Sequence, residues 1–306
     1  MTNVHVPVLK KEVIEYLDPK PNENFIDATI GQAGHTLAIL EKTAPEGKVL
    51  GIEWDPELYK KLKEKCLIWK IKERLILVND SYSNLKKIVE REKFQPVSGI
   101  LFDLGLSSWH LEESGRGFSF QKDEPLDMRY CTHFLRPWET CTAEKIVNEF
   151  SEEEIERIMR EYGQEKFAKR IAREIVKTRK IKKIGTTFQL VEIIKKATPD
   201  WYHHQRIHFA TRTFQALRIA VNDELNNLEK TLPQALEILE ERGRIVVISF
   251  HSLEDRIVKD FFKKYSHGVA LFACKILTKK PIRPGKEEII QNPRSRSARL
   301  RATIKI

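Results

Sequence analysis

Cysteine is scarce in this chain of 306 residues, and the four present (Cys66, Cys131, Cys141 and Cys274) form no C-x-x-C pair. Scattered reduced thiols are expected, not a zinc site or a disulfide framework. No apolar run approaches the ~20 residues that a membrane-spanning helix needs. Residues 1–11 lack the apolar core of a secretory signal. A soluble, cytoplasmic protein is expected. Internal repeats and low-complexity tracts are missing. The dinucleotide fingerprint G-x-G-x-x-G is missing too, and so is the G-x-S-x-G elbow of serine hydrolases. Ser249, His251 and Asp255 therefore do not read as a nucleophilic triad, since near neighbours on one turn cannot satisfy its relay geometry.

What is present begins with charge. Lysine and arginine outnumber aspartate and glutamate by 54 to 44, a formal net charge of +10. That surplus favours an anionic partner, nucleic acid first. The first third of the chain then alternates strand and helix signals. Strands are expected at Asn24–Ala28, Lys48–Glu53, Leu75–Val78 and Gly99–Asp103, with helices at His35–Thr43, Leu58–Cys66 and Ser83–Glu92. Short apolar strands separated by helices predict a parallel sheet covered on both faces. The next strong strand is Arg244–Ser249, and the stretch between is too long for one crossover. Most of it reads as helix, including a capping box at Ser151–Glu154 with a Phe150–Ile155 staple. An inserted helical domain follows, with boundaries expected at 1–112, 113–206 and 207–306. A long helix through Phe214, Leu217, Val221, Leu225, Leu228 and Leu232 is assigned to the sheet domain, followed by a second helix over Pro233–Glu241. Leu271–Leu277 and Ala298–Ile306 are expected as two further strands.

Residues able to carry chemistry gather at the strand ends. Asp27 and the loop Gly31-Gln32-Ala33-Gly34-His35 form a strand–glycine loop–helix unit, on which α/β proteins bind nucleotide-like cofactors. Glu53 ends the second strand, where a carboxylate can accept both hydroxyls of a ribose. Asp55 is its competitor, though its place before Pro56 also suits a helix cap. Asp80 and Tyr82 follow the third strand, where they suit an adenine amino group and ring, although an N-cap is the simpler reading there. Asp103 ends the fourth, followed by Gly105, Ser107 and Ser108. Farther on lie Arg116-Gly117-Phe118-Ser119-Phe120 and Pro125-Leu126-Asp127-Met128-Arg129. Arginine and glycine interleaved with aromatics suit RNA, and an ordered loop with buried rings explains the same pattern. Arg212 and Gln215 start the long helix, His251 follows the fifth strand, and Arg294 lies in a basic string near the end.

These strings, with His5-Val6-Pro7-Val8-Leu9, Ala210–Ala216, Ile248–Arg256 and Asn292-Pro293-Arg294, resemble the bacterial small-subunit ribosomal RNA methyltransferase H family, also called MraW. The likeness covers nearly the whole chain. It implies a Rossmann-like class I methyltransferase sheet with an inserted helical domain, and S-adenosylmethionine as cofactor. It also implies methylation of the exocyclic N4 of a cytidine in 16S ribosomal RNA at the decoding centre, the partner being that RNA or an assembling 30S subunit. Cofactor contacts fall by position on Ala33, Gly34, His35, Glu53, Tyr82, Asp103 and His110. Ala33, Glu53, Tyr82 and His110 depart from the family's usual glycine, aspartate, phenylalanine and glutamine. Asp103 is expected near the reacting amine, with Ser107 or Ser108 orienting the base. Arg116, Arg129, Arg212, Gln215, His251 and Arg294 are expected on the RNA side, and no metal is called for. Two rivals use the same features: a nicotinamide oxidoreductase on the same sheet, and a non-catalytic RNA-binding protein.

Overall fold

The computed structural model describes residues 7–69, 71–132, 141–266 and 273–306. His5 and Val6 of the first motif, and residues 271–272 of an expected strand, lie outside them. In chain order the elements are α1 Lys10–Leu17, β1 Phe25–Asp27, α2 Gly34–Lys42, β2 Val49–Glu53, α3 Pro56–Trp69, β3 Leu75–Asn79, α4 Leu85–Glu92, β4 Gly99–Asp103, α5 Ser108–Glu112, α6 Ala143–Glu149, α7 Glu152–Glu161, α8 Ala168–Arg179, α9 Thr187–Ala197, α10 Asp200–His203, α11 Thr211–Asn222, α12 Glu224–Ile238, β5 Arg244–Ser249, α13 Ser252–Ser266, β6 Cys274–Ile276, α14 Lys286–Gln291 and β7 Arg299–Lys305. Two compact units result: residues 1–105 with 225–306, and residues 106–224.

The first unit is built on a seven-stranded sheet in the order β3-β2-β1-β4-β5-β7-β6. Strands β1 to β5 are parallel, and β7 runs antiparallel to both β5 and β6. This is the class I methyltransferase sheet that the sequence led us to expect. Strand order reverses between β1 and β4, so the carboxyl ends there open a crevice for ligands. Apolar runs explain the burial: Ile26, Leu50, Ile100 and Ile245 are each fully buried. One close approach fixes the loop after β1. Ile30 N–H donates to Ile52 O at 3.1 Å, and a Cβ on Gly51 would stand 2.4 Å from Ile30 Cδ1. Glycine in β2 thus lets the loop fold back across the neighbouring strand.

The second unit is helical, with a core of residues including Ile146, Ile155, Met159, Ile171, Leu190 and Ile194. The capping box is formed: Ser151 Oγ accepts from Glu154 N–H, and Glu154 Oε2 accepts from Ser151 N–H. The expected boundaries differ from the observed division. Phe214 and Leu217 of α11 pack into this helical core, so α11 belongs to the helical unit and the chain returns to the sheet only at 225. The expected single helix is two. Asp223, with φ of 50°, ends α11 in a left-handed turn, while the apolar spacing keeps its phase across the break. Pro233 lies inside α12 and does not start a helix; the helix gives up one backbone hydrogen bond there.

Helix α11 crosses close to the end of α7. A Cβ on Gly163 would stand 2.5 Å from Arg212 O and 2.8 Å from Met159 O. Both are backbone atoms and cannot swing away. Gly163→Ala is therefore expected to lower unfolding free energy by about 1–3 kcal/mol, read by denaturant titration. An unchanged midpoint would show that the two helices are free to separate.

Candidate active site

The sheet unit places three carboxylates at the carboxyl ends of neighbouring strands: Asp27 on β1, Glu53 on β2 and Asp103 on β4. Asp27 is buried and works within the loop. Its Oδ2 accepts from Thr36 Oγ1 at 2.6 Å and its Oδ1 from Thr29 N–H at 3.3 Å. It thereby ties the strand end to the start of α2. Burial pushes its carboxyl above the usual range, and the Thr36 hydrogen bond pulls part of that back. Thr29 adds a second tie, its Oγ1 accepting from Asp103 N–H at 2.7 Å.

Ala33 explains why the loop favours glycine. Its φ of 64° puts it in the left-handed region at the N-cap of α2, and its methyl is fully buried. Left-handed backbone costs a residue with a Cβ roughly 1–2 kcal/mol, while burying one methyl returns about 0.8 kcal/mol. The terms oppose, so Ala33→Gly is expected to leave stability within about 1 kcal/mol of the parent, checked by thermal unfolding. A loss well beyond that would mean the methyl fills space nothing else can.

Glu53 is 7% exposed. Its Oε1 accepts from Asp55 N–H at 2.8 Å, and the Gly31 amide also faces it. Burial pushes its carboxyl up to about 8, with the Asp55 and Gly31 amides opposing and the Asp55 charge assisting. Asp55 itself caps α3, its Oδ1 accepting from Glu57 and Leu58 N–H, the role its place before Pro56 suggests. Tyr82 opens the turn after β3 and meets Phe102 edge to face at 6.0 Å. Asp80 is spent locally, accepting from Ser81 N–H and Asn84 Nδ2.

His35 and Asp103 face each other with Nε2 and Oδ2 3.5 Å apart. Both His35 nitrogens and Asp103 Oδ1 are buried without a hydrogen-bond partner. Buried polar atoms are rarely left so, and three orphans at one strand end mark a place built for a ligand. With a buried carboxylate at the end of β2, of the kind able to accept two hydroxyls, and a closely approaching backbone loop, the residues fit a nucleoside cofactor with a charged centre.

The profile of the MraW methylase family matches residues 2–306. The chain belongs to this family. The ribosomal RNA small subunit methyltransferase H of Geobacter sulfurreducens is 46% identical over 318 residues, covering 100% of both chains. The same-named protein of Halothermothrix orenii is 45% identical over 314 residues, 99% of this chain and 98% of that one. Among solved structures, an rRNA methylase from Streptococcus thermophilus aligns with 97% of this chain and 93% of its own, at 12% identity and a TM-score of 0.43. This MraW-family chain takes S-adenosylmethionine as its cofactor. Ala33, Gly34, His35, Glu53, Tyr82 and Asp103 are the residues of the sheet unit that would hold it.

Other expected site residues are engaged elsewhere. Ser107 caps α5, and its Oγ lies 2.8 Å from His110 Nδ1. Ser108 begins that helix. The His110 ring is buried against Phe118 at 5.3 Å and Tyr130 at 5.0 Å, so it faces its own unit's aromatic cluster. Arg116 is 7% exposed, and its guanidinium donates to the carbonyls of Arg129 and Tyr130. Arg129 makes a two-pronged pair with Asp127, both contacts at 2.7 Å. Arg212 donates to Gln164 O and Gln215 to Tyr162 O, fastening α11 to the end of α7. The His251 ring sits 3.1 Å from the Glu254 carboxylate. These contacts hold loops and helix ends together. Arg294 is exposed. Asp27 was read with the glycine loop, and its partners Thr29 and Thr36 were not named from the sequence as supports of the site. The signal for them was an acid before a glycine loop with hydroxyls at two and nine residues beyond.

Among the described residues no helix is long and apolar enough to cross a membrane.

Proposed function

We propose that this chain transfers the methyl group of S-adenosylmethionine to the exocyclic N4 of a cytidine in 16S ribosomal RNA, at the decoding centre, acting on that RNA or on an assembling 30S subunit in the cytoplasm. The name carried by relatives at 45–46% identity supports the RNA substrate. The observation that carries the chemistry is Asp103 Oδ1, buried and unpartnered at the end of β4.

The amino nitrogen of cytosine is a poor nucleophile, because its lone pair is delocalised into the ring. A carboxylate that accepts one amino hydrogen helps that nitrogen become tetrahedral and localises the pair. Asp103 has an oxygen left for this, while Thr29 fixes its backbone. The bound cofactor supplies an already activated methyl group, so the residues have mainly to position. The proton leaves after transfer, and Asp103 serves as acceptor without having to be a strong base. A cytosine must be unstacked or single-stranded to be reached. The exposed face of α8, with Lys169, Arg170, Arg173 and Lys177, suits the RNA backbone.

A thermal-shift comparison tests the cofactor half of this reading. S-adenosylmethionine should raise the melting temperature and NADH should not. A shift with NADH alone would contradict it.

A further inference from the structure

We infer that the helical unit carries a second RNA site, a pocket that takes an unpaired nucleotide of the substrate through stacking on Phe188 and phosphate contact with Lys182 and Lys195. It rests on the reading that the substrate is RNA. The pocket is a cleft of about 820 Å³ between α8, the loop after it, α9 and α10. None of the residues proposed above for cofactor or catalysis lines it. Its volume lies within the range of ordinary small-ligand sites and leaves room for a nucleotide.

Three features select the occupant. Phe188 lines the cleft with 45% of its surface exposed. An exposed aromatic at the start of a helix has no packing reason, and a nucleobase stacks on it whatever its identity. The rim is basic: Lys182, Lys183, Lys195 and Lys196 line it against Glu192 and Asp200. Lys183 is paired with Glu144 at 2.5 Å and Lys196 lies 3.9 Å from Glu174. Lys182 and Lys195 hold no acidic partner among the described residues, so their charge is available to a phosphate. The lining also holds a polar reader. Gln189 Oε1 is used by Gly185 and Thr186 N–H, which leaves its amide N–H groups for a base edge. An acidic peptide would satisfy the lysines but not use the flat aromatic face, so RNA is the better fit.

The test uses the full chain and a fluorescent single-stranded RNA of about eight nucleotides. Phe188→Ala should weaken binding about five- to a hundredfold with an unchanged melting temperature, since the side chain is exposed. The double variant Lys182→Ala/Lys195→Ala should reduce the slope of log affinity against log salt by about 1.4. Parental affinity and slope in both variants would overturn the proposal. So would an acidic peptide that binds as tightly as the RNA and is equally weakened by Phe188→Ala. The two readings fail separately. If the parent methylates no ribosomal RNA yet loses oligonucleotide binding on Phe188→Ala, the pocket stands and the enzymatic reading falls.

Discussion

Asp103→Asn is expected to lower kcat for methyl transfer by about 10²–10⁴-fold while the protein keeps its melting temperature. The side chain is near-isosteric, and the tie that fixes this residue is its own backbone N–H to Thr29 Oγ1, which the variant retains. What changes is the acceptor. The amide offers one oxygen without charge, and its NH₂ would point donors at an amine that needs none. The oxygen that faces His35 Nε2 at 3.5 Å also loses its charge. Single-turnover rates with saturating cofactor and RNA separate chemistry from binding. A folded variant with the parental single-turnover rate would remove Asp103 from the mechanism.

Glu53 gives the second large effect, and it depends on pH. In the free protein burial holds its proton up to about 8. A ribose diol presents two O–H donors, which favour the ionised carboxylate and draw its pKa down. Binding below about 8 therefore releases a proton, and cofactor affinity should rise with pH by up to about tenfold per unit before levelling above 8. Glu53→Gln should abolish that slope and weaken binding by about ten- to a hundredfold on the plateau, the value of one charged hydrogen bond. Stability of the free protein runs the other way. A carboxyl raised from 4.5 to about 8 by folding binds more protons folded than unfolded across that window. Its contribution is largest below 4.5 and is lost as pH climbs through 8. The glutamine variant should melt higher than the parent above about pH 8. Isothermal titration over pH reads the first effect and scanning calorimetry the second. A pH-independent affinity in the parent would show that Glu53 does not meet the cofactor.

Much of the sheet was legible because its strands are short apolar runs that end in acids. Asp27, Glu53 and Asp103 stood out since an acid after a buried run has few packing roles. The helical unit was legible as helix but not in its limits. Apolar spacing continues in phase from Phe214 to Leu232, and only the left-handed turn at Asp223 divides it between two cores. The arginines were least legible. A guanidinium serves phosphate and backbone carbonyls equally well, and nothing in Arg116, Arg129 or Arg212 says that a carbonyl or Asp127 lies within reach. Phe188 escaped notice for the converse reason, because its spacing fits a core position and only the fold shows it exposed.

The central claim is tested most directly by incubating the protein with labelled S-adenosylmethionine and small-subunit RNA or assembling subunits, then identifying the modified nucleoside by mass spectrometry. The account predicts label in a single cytidine carrying the methyl on N4. Label on another base, on the ribose or on carbon would contradict it, as would an RNA left unlabelled by a protein that binds the cofactor.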